Sequence, residues 1–167
     1  MSEVEFTKMH GAGNDFIMID DMKCVFADDP GLTIALCEFH RGIGADGMIL
    51  LRPSVETDFT MKYFNSDGSE AEMCGNGARC TAMFALERGI AGKKMTFSTG
   101  AGPISAEVTG DLVRIALEPV HGLLLGLDLP EGISAGFAIS GVPHAAIMID
   151  DAREWSAEKF LKTARAI

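Results

Sequence analysis

One tryptophan and one tyrosine stand among 167 residues, and aromatics of all kinds make up only 7%. Cysteine is scarce as well. Cys24, Cys37, Cys74 and Cys80 form no Cys-x-x-Cys pair and lack the density of a disulfide scaffold. Basic residues are in deficit, 14 Lys and Arg against 24 Asp and Glu, for a formal net charge of −10. With no Lys/Arg stripe either, the chain argues against a nucleic-acid partner. No apolar run approaches the roughly 18 residues of a membrane span. The start, Met1-Ser2-Glu3-Val4-Glu5, has neither the basic region nor the apolar core of a signal peptide. His10, His40 and His121 are scattered without metal-ligand spacing, so no metal site is expected. No Ser nucleophile elbow or Walker loop occurs. These absences lead to the expectation of a soluble cytoplasmic protein with reduced thiols and neither membrane nor nucleic acid as partner. What is present is a 47% apolar chain with 19 glycines, long enough for one domain comfortably and for two if both are small.

Along the chain, Val4 to Met9 and Phe16 to Ile19 read as short strands joined by the turn His10-Gly11-Ala12-Gly13-Asn14-Asp15. Pro30-Gly31 opens a helix over Leu32 to Phe39. The cluster Arg41-Gly42-Ile43-Gly44-Ala45-Asp46-Gly47 precedes a buried strand, Met48 to Leu51, and so is no dinucleotide fingerprint. Phe59 to Asn65 alternates as a strand, and Ser66 to Ser69 is a turn. From Gly75 to Arg88 the spacing predicts a helix stopped by Gly89. Its middle has no polar face, so it is expected to lie buried on all sides, wrapped by sheet. Further strands are read at Met95 to Ser98, Ile104 to Val108, Val113 to Leu117 and Ala145 to Ile149. A last helix, N-capped by Ser156 and stapled by Trp155 on Phe160, runs uncapped to Ile167. The string Ile17-Met18-Ile19-Asp20-Asp21 recurs as Ile147-Met148-Ile149-Asp150-Asp151 about 130 residues later, which is either chance or the mark of a duplicated domain.

The densest concentration of reactive and ligand-binding groups is Asn65 to Arg79. Cys74 sits where a loop meets the start of the buried helix, where free N–H groups and the helix dipole stabilise an anion, whether thiolate or substrate carboxylate. Gly75 and Gly77 let backbone amides approach a ligand, and Asn76 offers donor and acceptor. Cys80 lies about 240° round the helix from Cys74 and is assigned to packing, together with Cys24 and Cys37. Asn14 and Asp15 also suit a hairpin turn, Asn65 a strand end, and His144 after Pro143 a hydrogen-bonded turn.

Three ordered motifs carry a resemblance. Phe6-x-Lys8-x-x-Gly11-x-Gly13-Asn14-Asp15-Phe16, then Arg41 to Gly47, then Asn65 to Cys80, resemble the diaminopimelate epimerase family over nearly all of residues 1–110. Gly141-Val142-Pro143-His144 resembles the family's Gly-Asn-Pro-His turn. The resemblance implies an α/β (α+β) fold of two pseudo-symmetric domains, each a curved, largely antiparallel sheet around a central helix. Here it implies an N-terminal domain over 1–120 and the start of a truncated second domain over 121–167. It also implies a cofactor-independent isomerase that interconverts LL- and meso-diaminopimelate in lysine biosynthesis, by proton transfer between two cysteines, as a homodimer in its full-length form. Cys74 matches the N-terminal catalytic cysteine. Asn14, Asn65, Gly75 and Asn76 match substrate-binding positions, and His144 a cleft residue. Val142 departs from a substrate-binding asparagine, and the partner cysteine is expected beyond Ile167. The chain alone is therefore expected to be inactive. The alternatives are another racemase or isomerase of the superfamily that works without pyridoxal phosphate, or an inactive substrate-binding fragment.

Overall fold

The computed structural model describes residues 4–129, 132–140, 142–151, 153 and 155–165. The chain divides into two units, Met1–Ala116 and Leu117–Ile167.

The first unit opens on a hairpin. Strands β1 (Thr7–Gly11) and β2 (Asn14–Asp20) pair antiparallel with Gly11 opposite Asn14. The turn is only Ala12-Gly13, both at positive φ (54° and 87°), as a two-residue type I′ hairpin requires. The six-residue turn expected from composition is thus shorter, and His10, Gly11, Asn14 and Asp15 are strand residues. Helix α1 spans Pro30–Cys37. Asp29 caps it by accepting from the Gly31 N–H at 2.8 Å, and Pro30 takes the first turn, where its missing N–H costs nothing. The helix ends before Phe39, because Glu38 turns to extended backbone. Strand β3 (Gly47–Arg52) then returns parallel to β2, and β4 (Phe59–Asn65) runs antiparallel to β3.

Beyond β4 the sheet forks. Tyr63 and Phe64 pair with the two-residue β5 (Glu70–Ala71), while Phe59 and Thr60 pair with β6 (Lys94–Thr99) in parallel. Helix α2 (Gly75–Glu87) lies between β5 and β6 in sequence. It ends on Arg88, with Gly89 following at φ 69°. Antiparallel β7 (Gly102–Thr109) and β8 (Leu112–Ala116) complete the order β1-β2-β3-β4-β6-β7-β8.

The burial pattern follows from two layers. Met48 and Leu50 join Ile17, Ile19, Cys37 and Phe64 in one cluster, while Ile49 and Leu51 join Phe16, Phe59, Phe97 and Phe84 in the other. A strand covered on both faces reads as a continuous apolar run, as Met48 to Leu51 does. Helix α2 touches β1, β2, β3, β4, β7 and β8, so the sheet curls around it. Burying Phe84 there contributes on the order of 2–3 kcal/mol. The helix is not covered all round, however. Arg79, Met83 and Leu86, at helical spacing, stay partly exposed. Arg79 and Met83 line a groove of about 330 Å³ between Met9, His10 and Gly11 of β1 and Leu112 and Val113 of β8. The sheet stops short of closing there, so its last seam leaves one stripe of α2 open.

A buried carboxylate holds the loop after β2. Asp21 is 1% exposed, accepts from the Val25 and Phe26 N–H groups at 2.8 and 3.0 Å, and receives Arg52 Nε at 2.7 Å. Each of its bonds offsets the cost of taking the charge out of water.

The second unit is a three-stranded antiparallel sheet in the order β11-β10-β9, built from β9 (His121–Leu129), β10 (Ile133–Ser140) and β11 (Val142–Ile147), with helix α3 (Ala157–Ala164). Ser156 caps α3 by accepting from the Lys159 N–H at 3.1 Å. Trp155 and Phe160 line one pocket with Ala145 and Ile147. Contrary to expectation the helix closes at Arg165, whose N–H bonds back to Leu161 O at 3.1 Å. Ile167 lies outside the described residues. The strand expected over Ala145 to Ile149 sits earlier, over Val142–Ile147. Of the second Ile-Met-Ile-Asp-Asp string only Ile147 is strand, whereas Ile17 to Asp20 lie wholly within β2. Among the described residues no helix is long and apolar enough to cross a membrane.

Candidate active site

Cys74 is the N-cap of α2. Its backbone is extended (φ −143°, ψ 117°), and its Sγ accepts from the Gly77 N–H at 3.4 Å, the place usually taken by a Ser or Asp oxygen. The first-turn N–H groups of Gly75 and Asn76 have no carbonyl four residues back within the helix, and they point with the positive end of its dipole. Such a turn suits a carboxylate, and the sulfur at its mouth suits proton transfer.

The hairpin brings Asn14 to this turn. Cys74 Sγ donates to Asn14 Oδ1 at 3.6 Å, and Asn76 Nδ2 donates to the same oxygen at 3.4 Å. A close approach makes this possible, since a Cβ on Gly11 would stand 3.1 Å from the Asn76 carbonyl oxygen. Asn65 stands at the end of β4, opposite Gly47 of β3. Its Nδ2 donates to Ser69 Oγ at 3.0 Å. His144 belongs to the second unit, where its Nδ1 lies 2.7 Å from Val142 O, the bond anticipated for a turn histidine although the residue lies in β11.

Sequence reasoning did not single out Asp46, Arg79, Lys8 or Tyr63. Asp46 Oδ2 accepts from Asn14 Nδ2 at 2.8 Å and from the Asp15 N–H at 3.0 Å. Arg79 donates to Asn76 Oδ1. Lys8 pairs with Asp15 at 2.9 Å and also donates to the Gly44 carbonyl. Partial burial pulls the Asp15 carboxyl up, but Lys8 and the Asp46 backbone N–H outweigh it and hold it below the usual carboxylate range. Tyr63 is buried, and that burial, with Cys74 and Asp46 nearby, pushes its hydroxyl up to about 12. The signal for these residues was their place inside the quoted motifs, which gave no role to each side chain.

The other thiols do not join the cluster. Burial pushes Cys37 and Cys80 each up to about 11, as packing cysteines should be. Cys24 departs from the packing assignment. It is exposed, at φ 51°, beside a likewise exposed Val25. Among the described residues no group of three His, Cys, Asp or Glu side chains is placed to hold a metal.

A sheet curled around one helix defines the class of fold, and solved structures share it. The *Bacillus anthracis* phenazine biosynthesis protein of the PhzF family aligns with TM-score 0.62 and 16% identity, covering 88% of this chain and 56% of that one. A hydroxyproline epimerase from *Agrobacterium vitis*, solved with trans-4-hydroxy-L-proline bound, aligns with TM-score 0.60 and 16% identity over 85% and 50%. At such identity the likeness speaks for the fold. The sequence goes further. The family model described as diaminopimelate epimerase matches residues 6–119. The diaminopimelate epimerase of *Aquifex aeolicus* is 41% identical over 98% of this chain and 63% of its own length. That of *Caldanaerobacter subterraneus* is 53% identical over 63% of this chain and 38% of its own. The chain belongs to the diaminopimelate epimerase family. It spans 63% and 38% of these two relatives.

Proposed function

We propose that this chain carries one half of an amino-acid epimerase site acting on LL- and meso-diaminopimelate, with Cys74 as the group that exchanges the α-proton on one face. The single observation that carries this reading is a thiol at a helix start, bonded at once to the Gly77 N–H and to Asn14 Oδ1. As thiolate, Cys74 takes the Cα–H proton and becomes S–H, leaving the electron pair on the substrate carbon. As thiol, it returns the proton. The first-turn N–H groups of Gly75 and Asn76 hold the α-carboxylate, and Asn14, Asn65 and Asn76 line the substrate. His144 is assigned to the cleft by family resemblance alone, as are cytoplasmic residence and a homodimer in the longer form. No cofactor is invoked.

Inversion needs a second acid on the opposite face, and no other thiol of the first unit joins the Cys74 cluster. We therefore expect proton exchange without inversion from this chain. The test incubates it with LL-diaminopimelate in deuterium oxide and follows α-deuterium by mass spectrometry and configuration by chiral chromatography. Deuteration with retained configuration, abolished by Cys74→Ala, is the expected result. Formation of the meso isomer by this chain would overturn the one-base account, and absence of deuteration would overturn the assignment of Cys74.

A further inference from the structure

An asparagine amide has one end that donates and one that accepts, and the residue itself does not decide which end faces a neighbour. In this site both amides are set by charges at the two ends of one hydrogen-bond chain. Arg79, which only donates, binds Asn76 Oδ1. Asn76 Nδ2 is thereby turned toward Asn14 Oδ1, at 3.4 Å. Asp46, which as a carboxylate only accepts, takes Asn14 Nδ2 at 2.8 Å. Asn14 Oδ1 is left facing Cys74 Sγ at 3.6 Å.

Asp46 is itself pinned. Its N–H bonds to Asp15 Oδ1 at 2.9 Å and Asp15 O at 3.1 Å, and its carbonyl accepts from the Ser66 N–H at 3.0 Å. The side chain is exposed, but the backbone that carries it is tied to both the hairpin and the turn after β4.

We propose that Asp46 is a positioning residue for the thiol, fixing the Asn14 amide so that an acceptor and never a donor faces Cys74. An acceptor beside S–H holds the proton on sulfur, whereas an amide N–H there would favour the thiolate. The Gly77 N–H pulls the other way. The sulfur thus stands between one donor, the Gly77 N–H, and one acceptor, Asn14 Oδ1. Tyr63 from β4 and Cys80 from α2 also lie near Cys74, and the Arg79 guanidinium stands beside Gly75. The role in turnover rests on the function proposed above, but the test below reads the thiol and not turnover. If the thiol responds as expected and no α-deuteration occurs, the functional reading fails and the positioning role stands.

The experiment measures the rate of iodoacetamide alkylation of Cys74 at pH 7 in the 167-residue chain by peptide mapping, with exposed Cys24 as internal control. Asp46→Ala leaves the Asn14 amide held only by the long 3.4 Å bond from Asn76 Nδ2, which its turning N–H toward sulfur would break, and the rate is expected to rise about threefold through the larger thiolate fraction. Asp46→Asn removes the charge yet keeps an oxygen to accept from Asn14 and the Asp15 N–H. Its rate is expected to stay within about 1.5-fold of the native chain. Equal acceleration in both variants would show that charge alone matters and would overturn the proposal, as would no change in either. Asn14→Ala provides a test that leaves Asp46 in place. It should also accelerate Cys74 about threefold and make the rate indifferent to a further Asp46→Ala. A continued response in that double variant, or an unchanged rate in Asn14→Ala, overturns the proposal as well.

Discussion

The string Ile-Met-Ile-Asp-Asp occurs once in each unit, and the two copies meet opposite fates. In the first, Ile17 and Met18 are fully buried, Ile19 nearly so, and Asp21 is locked to Arg52 beneath the loop. In the second, Met148 is 92% exposed, Ile149 is exposed too, and Asp151 pairs with Arg153 at the surface. Identical local sequence therefore does not decide burial. In β2 the string lies between β1 and β3, with α1 on one side of the sheet and α2 on the other. In the second unit the string runs off the end of β11, and three strands with one short helix leave Leu123, Leu124, Leu125 and Leu161 exposed. Cys74 is held by a unit whose interior is filled on both faces of the sheet.

The two copies of the string differ most in energy at their acidic ends. Asp21→Ala leaves two loop N–H groups without their acceptor and takes from Arg52 its buried carboxylate, Asp28 alone remaining, and it is expected to cost about 3–5 kcal/mol in chemical denaturation. Asp151→Ala, at an exposed pair, should leave the midpoint unchanged. Equal effects would mean that the two copies are energetically alike after all. The apolar members sharpen the same contrast. Met18→Ala should cost about 2–5 kcal/mol through a cavity in the main core. Met148→Ala should stay within about 0.5 kcal/mol. Differential melting curves of the two variants decide it.

The smallest expected effect is a pH dependence at Asp15 in the first unit. Asp15 is held below its ordinary value of 3.8 in the folded chain. The stabilisation it contributes is therefore complete above that value and is lost as pH falls through the lower folded one. Asp15→Asn should be less stable than the native chain by about 0.5–1 kcal/mol at pH 6, its partner Lys8 being partly exposed. The gap should close below pH 3.8. A gap that widens on acidification would show that Asp15 is unfavourably placed as an anion.

Where the residues themselves carry a period, the fold was legible. Phe59–Asn65 alternates and is β4 at those bounds, and the apolar run of α2 ends on Gly89 as read. Strands β9 and β10 were not legible. Leu123-Leu124-Leu125 does not alternate, and register shifts within the β9–β10 pair interrupt any period-two pattern. The two-residue β5 is too short to show a period. In the site, Cys74, Asn14, Gly75 and Asn76 do come together, because a cysteine between a loop and a helix with glycines beside it is a local signal. Arg79 reaches Asn76 three residues back within α2, whereas Asp46 acts across 32 residues through a hydrogen bond that depends on where strands meet. Nothing in the spacing of a Gly-Ala-Asp-Gly run reports that its carboxylate will meet an asparagine from the opening hairpin.

The atom that caps α2 is also the atom with a proton to trade. A thiol is a weak anchor for a helix start, and a thiolate, as an ionised acceptor, is a stronger one. Losing its proton therefore tightens the first turn, and regaining it slackens the turn. Gly75 and Asn76 ride on that turn, so their hold on one another follows the state of the sulfur. Proton stock and mechanical tension are coupled through one bond, from Gly77 N–H to Cys74 Sγ.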